Sequence, residues 1–69
     1  MRDAVKVTVE EYRGDGIDTV EQYEFIGVIE DKLGWTGKTE FRNKVAKELH
    51  DMGFRKRDGM YLLPTVDTL

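Results

Sequence analysis

The chain has 69 residues, a formal net charge of −3, a mean hydropathy of −0.56 and no cysteine. That length allows one domain at most, and the absent thiols exclude a disulfide framework and a thiolate zinc site. No segment approaches the roughly 20 apolar residues of a membrane span, and the first residues lack the apolar core of a signal peptide, so a soluble, cytoplasmic protein with no membrane partner is expected.

The charge is unevenly spread. Residues 1–31 carry three basic and nine acidic side chains, a balance of −6. Residues 32–57 carry eight basic side chains (Lys32, Lys38, Arg42, Lys44, Lys47, Arg55, Lys56, Arg57) against Glu40, Glu48 and Asp51, a balance of +5. Such asymmetry raises the expectation of an anionic partner, while the overall acidity argues against indiscriminate nucleic-acid binding.

Residues 4–12, AVKVTVEEY, alternate. Val5, Val7 and Val9 share one side and Lys6, Thr8 and Glu10 the other, which predicts a half-buried strand rich in β-branched residues. Arg13-Gly14-Asp15-Gly16 follows as a turn. Its RGD tripeptide spells a cell-adhesion motif, but nothing else in the chain suggests secretion.

A helix is predicted over 19–33. Asp18 with Glu21, or Thr19 with Gln22, fits a capping box. Gln22, Phe25, Ile26, Ile29 and Leu33 fall on one side with Tyr23 beside them, and Val20 and Val28 widen the apolar surface. The rival is a strand over YEFIGVI pairing back through the glycine turn; the caps and the EDKLG ending favour the helix. The likeness of TVEEY and TVEQY is too short to mark a repeat.

The next helix, 38–52, organises the chain. Phe41, Val45, Leu49 and Met52 recur at helical spacing, Thr36, Thr39 or the Gly37 backbone is a candidate cap, and Gly53 supplies the stop. Thr39, Arg42, Asn43, Ala46, Lys47 and His50 lie within about 140° of arc opposite. Glu40 and Lys44 form an expected i,i+4 pair. A small residue at the centre of such a face allows close approach to a surface, and Arg, Asn and Lys reach phosphates and base edges. An amphipathic helix with charges outside is also what any soluble domain shows. Beyond it, Arg55, Lys56 and Arg57, then Asp58-Gly59, then Met60 to Leu63, read as a hairpin that Pro64 ends. The ends, 1–3 and 65–69, are expected to be mobile.

Gly37-Lys38-Thr39 invites a phosphate-loop reading, but Lys32 stands where that motif needs its first glycine. The backbone amides at this helix start could still meet one phosphate. His50 is the only histidine, and the chain contains no serine. No metal site, cofactor or catalytic arrangement is therefore expected. Acidic pairs such as Asp15 and Asp18, or Glu21 and Glu24, read as a solvated face. Trp35 reads as packing the turn between two helices, with stacking on a base or a partner as the alternative.

The order helix 19–33, the turn LGWTGK, helix 38–52, MGF, a basic segment, a DG turn and the strand MYLLP resembles the winged helix-turn-helix DNA-binding domain. Leu49, Met52, Gly53, Phe54, Gly59, Tyr61 and Leu62 carry the likeness, which covers residues 19–64. The resemblance implies that the second helix enters the major groove of double-stranded DNA, with Thr36, Lys38, Thr39, Arg42, Asn43 and Lys47 at groove or phosphates and Arg55, Lys56 and Arg57 on the wing. The family usually places a further helix before its first strand; here the strand read at 4–12 stands first and is expected to supply the third strand of the wing sheet.

The expectation is thus a small α+β domain, in the order β-α-α-β-β with a three-stranded antiparallel sheet, acting as a transcriptional or mobile-element regulator. Val5, Val7, Val9, Tyr61 and Leu63 on the sheet are expected to meet Phe25, Ile26, Ile29, Leu33, Phe41, Val45 and Leu49 on the helices. The alternative is a protein-interaction module, an adaptor or inhibitor of a nucleic-acid-handling machine that docks through the acidic N-terminal third. A homodimer is compatible with either.

Overall fold

The computed structural model describes residues 1–35 and 38–69. The elements run α1 (Arg2–Gly14), β1 (Thr19–Glu21), α2 (Gln22–Leu33), α3 (Thr39–Asp51), β2 (Arg55–Arg57) and β3 (Met60–Leu62), with a single 3-10 turn at Val66–Thr68. The chain is therefore α+β, and the described residues form three helices and one three-stranded antiparallel sheet of order β1-β3-β2. The element order is α-β-α-α-β-β rather than β-α-α-β-β.

The difference lies in residues 4–12, which are helical where the alternation predicts a strand. Val5 and Val9 are four apart, a spacing that satisfies a period of two and a helical turn equally. Val7 separates the two, and it is 46% exposed whereas Val5 and Val9 are fully buried. Met1, Ala4, Val5, Thr8, Val9 and Tyr12 form the buried and half-buried stripe of α1, which packs on α2. Thr8 fits that stripe because its hydroxyl donates to the Ala4 carbonyl at 2.7 Å, so no buried donor is orphaned. The helical penalty of a β-branched residue is only a fraction of about 1 kcal/mol, and burying a valine outweighs it.

The third strand is Thr19–Glu21, three residues that pair with β3 in the register Thr19↔Leu62, Val20↔Tyr61 and Glu21↔Met60. The helix predicted from residue 19 consequently begins at Gln22. Neither predicted capping box forms its start. Glu21 is the cap, and its carboxylate accepts from the Tyr23 amide at 2.6 Å. Helix α2 ends on Gly34 at φ 73°, with the Trp35 amide donating to the Glu30 carbonyl at 2.9 Å.

Helix α3 stops as its glycine predicts. Gly53 has φ 87°, its amide donates to the His50 carbonyl at 3.0 Å, and the Phe54 amide reaches back to the Leu49 carbonyl at 3.0 Å. This doubled closure satisfies carbonyls the helix leaves open and turns Phe54 into the core, where it is 7% exposed. At the other end Lys38 is the cap residue and makes no side-chain cap bond, while Thr39 lies inside the first turn. The remaining cap candidates, Thr36 and Gly37, fall outside the described residues.

Asp58 and Gly59 turn the hairpin with φ of 52° and 77°. Two consecutive positive values match the right-handed twist of the strands they join, which is why Asp-Gly is favoured there. The Gly59 carbonyl then accepts from the Gln22 amide at 2.9 Å, and the Asp18 carbonyl from the Leu63 amide at 2.8 Å, extending the β1–β3 pairing at both ends.

Phe25 is the centre of the core, fully buried, with ring centroids of Tyr12, Phe54 and Tyr61 at 6.1, 5.8 and 5.7 Å. Ile26, Ile29, Val45, Leu49 and Leu63 surround it, joined by Val20. Of the expected core residues, Val7 is exposed, and Leu33 and Phe41 are half-buried at the rim. The Cα radius of gyration of 11.0 Å is the value a compact chain of this length gives.

Candidate nucleic-acid interface

The apolar stripe of α3 fixes which of its residues face water. Val45 and Leu49 are fully buried, so Thr39, Arg42, Asn43, Lys47 and His50 stand exposed on the far side, with Ala46 half-buried near its middle. Lys38 at the cap is exposed as well. Arg55, Lys56 and Arg57 form β2, an edge strand whose three side chains are all exposed. Thr36, also expected on this surface, lies outside the described residues.

The two basic segments adjoin. Ala46 and His50 of α3 form one wall of an open groove, and Arg55 and Lys56 form the other, over a floor of Phe54 and Tyr61; its volume is about 510 Å³. Among the described residues, no carboxylate lines it. Burial pushes the Tyr61 phenol above its ordinary value.

Among the described residues, the ion pairs are Arg2–Glu48, at 3.2 Å, and Lys32–Glu11. Both fasten α1 to the other helices. Lys38, Arg42, Lys47, Arg55, Lys56 and Arg57 take part in neither. The expected Glu40–Lys44 pair is not formed; the Lys44 ammonium lies 6.0 Å from the Phe41 ring centroid instead. Lys38 approaches the same ring at 5.5 Å, and Trp35 packs on it at 4.9 Å, so the indole meets the first turn of α3.

Two residues of this surface escape the sequence reading. The helical spacing puts Tyr23 beside the apolar side of its helix, yet it is 58% exposed, and the Arg42 guanidinium lies 5.5 Å from its ring centroid. Gln22 accepts at its side-chain oxygen from the Lys56 ammonium at 3.2 Å. The signal for both was the true start of α2: with residues 19–21 in the sheet, residues 22 and 23 form a first turn, where side chains face outward beyond the packed stripe. His50, on the helical face but with no role assigned from sequence, lines the groove.

Among the described residues, no group of three or more His, Asp or Glu side chains could hold a metal ion, and no helix is long and apolar enough to cross a membrane. Comparison with protein-family models, curated proteins and solved structures finds no match for this chain.

Proposed function

We propose that the chain is a small regulator that binds double-stranded DNA, with α3 in the major groove and the β2–β3 hairpin on the backbone, in the manner of a winged helix-turn-helix domain. The observation that carries this reading is a set of cations, Lys38 at the cap of α3, Arg42 and Lys47 on it, and Arg55, Lys56 and Arg57 on β2, exposed to solvent and outside every described ion pair; α3 and β2 share one groove, which Arg55 and Lys56 line. Arg42 and Asn43 contact base edges or nearby backbone; Lys38, Lys47 and Arg55 to Arg57 contact phosphates, and Thr39 joins them at the helix start. The element order supports it too, since α1 stands where the family has its first helix and β1 supplies the third strand. Titration of a labelled duplex at two salt concentrations tests it. Binding that weakens steeply with salt is expected; no binding at low salt, or binding indifferent to salt, removes the reading.

A second reading rests on α1. Val7 stands 46% exposed on a helix whose outer surface also carries Asp3, Glu10 and Glu11, which suits a protein partner. Capture of one stoichiometric partner, undiminished by Arg42→Glu and Lys47→Glu, favours that reading over the first.

A further inference from the structure

Arg42 and Lys56 come from elements that do not follow one another, and both side chains end on the first turn of α2. Arg42 lies over the Tyr23 ring at 5.5 Å, and the Lys56 ammonium donates to the Gln22 side-chain oxygen at 3.2 Å. The same turn is anchored to the hairpin by its backbone, through the bond from the Gln22 amide to the Gly59 carbonyl at 2.9 Å. Two neighbouring residues thus contact one cation of α3 and one of β2.

Neither contact is needed for the core. Tyr23 is more than half exposed, and Gln22 lies at the rim of the sheet. A free Arg or Lys side chain loses about 2 kcal/mol of rotamer freedom when a ligand immobilises it. A guanidinium already resting on an aromatic face and an ammonium already held by an amide oxygen have lost part of that freedom before any ligand arrives.

We infer that Gln22 and Tyr23 are positioning residues of this surface, presetting Lys56 and Arg42 as a rigid pair for the backbone phosphates of a DNA duplex. The inference rests on the DNA-binding reading and adds what that reading leaves open: the two basic segments act at a set separation, governed by an uncharged dipeptide on a third element. Changing Tyr23 therefore weakens binding without changing the number of phosphates neutralised, so affinity falls while the salt dependence keeps its slope.

The test uses the full chain, a duplex titrated at several salt concentrations, and the NMR signals of the Arg42 side chain. In the wild type the ring shifts the Arg42 δ-proton signals upfield; Tyr23→Phe keeps that shift and the affinity. Tyr23→Leu, which preserves apolar bulk in a helix, abolishes the shift and weakens binding about three- to fivefold with an unchanged slope. Gln22→Ala lowers affinity in the same way. Arg42 signals insensitive to Tyr23→Leu, or a Tyr23→Leu affinity equal to that of a binding wild type, overturns the positioning role alone. Wild-type protein that binds no duplex while its Arg42 signals show the ring shift overturns the DNA reading and, with it, the purpose assigned to the pair.

Discussion

The Arg13 guanidinium donates to the Leu63 carbonyl at 3.1 Å, so the last turn of α1 holds the residue that follows β3. The bond spans 50 positions of chain and joins the first element to the last strand. Arg13→Ala leaves that partly buried carbonyl without its donor and is expected to cost about 1 kcal/mol. In a domain of this size that lowers the thermal midpoint by about 4–8 °C, read by circular dichroism at 222 nm. An unchanged midpoint shows that water replaces the guanidinium at no cost.

Phe25 carries a larger stake. Its ring is fully buried and packs on three other aromatic rings. Phe25→Ala opens a cavity costing about 3–5 kcal/mol, which matches most of the stability a chain this small commands. The variant is expected to show little helical signal at 37 °C, while Phe25→Leu, which retains more of the volume, stays folded with a lower denaturant midpoint. A folded alanine variant contradicts the central place given to this ring.

Burial pushes the Tyr12 phenol above 10.0, the nearby carboxylates of Glu24 and Glu11 push it the same way, and Lys32 partly offsets them. The Tyr61 phenol is raised by burial alone. A raised phenol favours the neutral form in the folded chain. Its contribution to stability is therefore complete below the unfolded value of 10.0 and is lost as pH rises through the folded one. Denaturant midpoints are expected to hold steady up to about pH 9 and to fall above pH 10. Tyr12→Phe falls less steeply over that range; an identical fall shows that other groups drive it.

Lys47 stands exposed on α3 outside the described ion pairs. Lys47→Ala is expected to weaken duplex binding and to reduce the slope of log K against log salt by about one, the signature of one lost phosphate contact. Lys6→Ala, a comparable exposed change on α1, leaves both affinity and slope alone. Equal effects from the two substitutions point to net charge rather than to a surface.

The legible parts of the fold were those with local chemistry. Val45 and Leu49 set the buried stripe of α3, Gly53 its end, and Asp58-Gly59 the hairpin, each by a rule that needs only neighbouring residues. Residues 4–12 are ambiguous in sequence because Val5 and Val9 satisfy both periods, and what decides for a helix, the burial of Thr8 and the half-burial of Tyr12 beside them, comes from packing on α2. Strand β1 was invisible for a different reason. Three residues have no period, and Thr19–Glu21 is a strand only because β3 pairs with it. The candidate surface followed the same division: the cations of α3 and β2 were legible as charge, but Tyr23 and Gln22 were not, since their places depend on where β1 ends.

For a duplex to bind as proposed, α3 and β2 must form one surface. Addition of duplex DNA to the ¹⁵N-labelled chain at low salt reads this residue by residue. The amides of residues 38–50, of Arg55 to Arg57, and of Gln22 and Tyr23 are expected to shift together, while those of Val7 and Glu10 on α1 stay in place. Shifts confined to α1, or no shifts at all, contradict it.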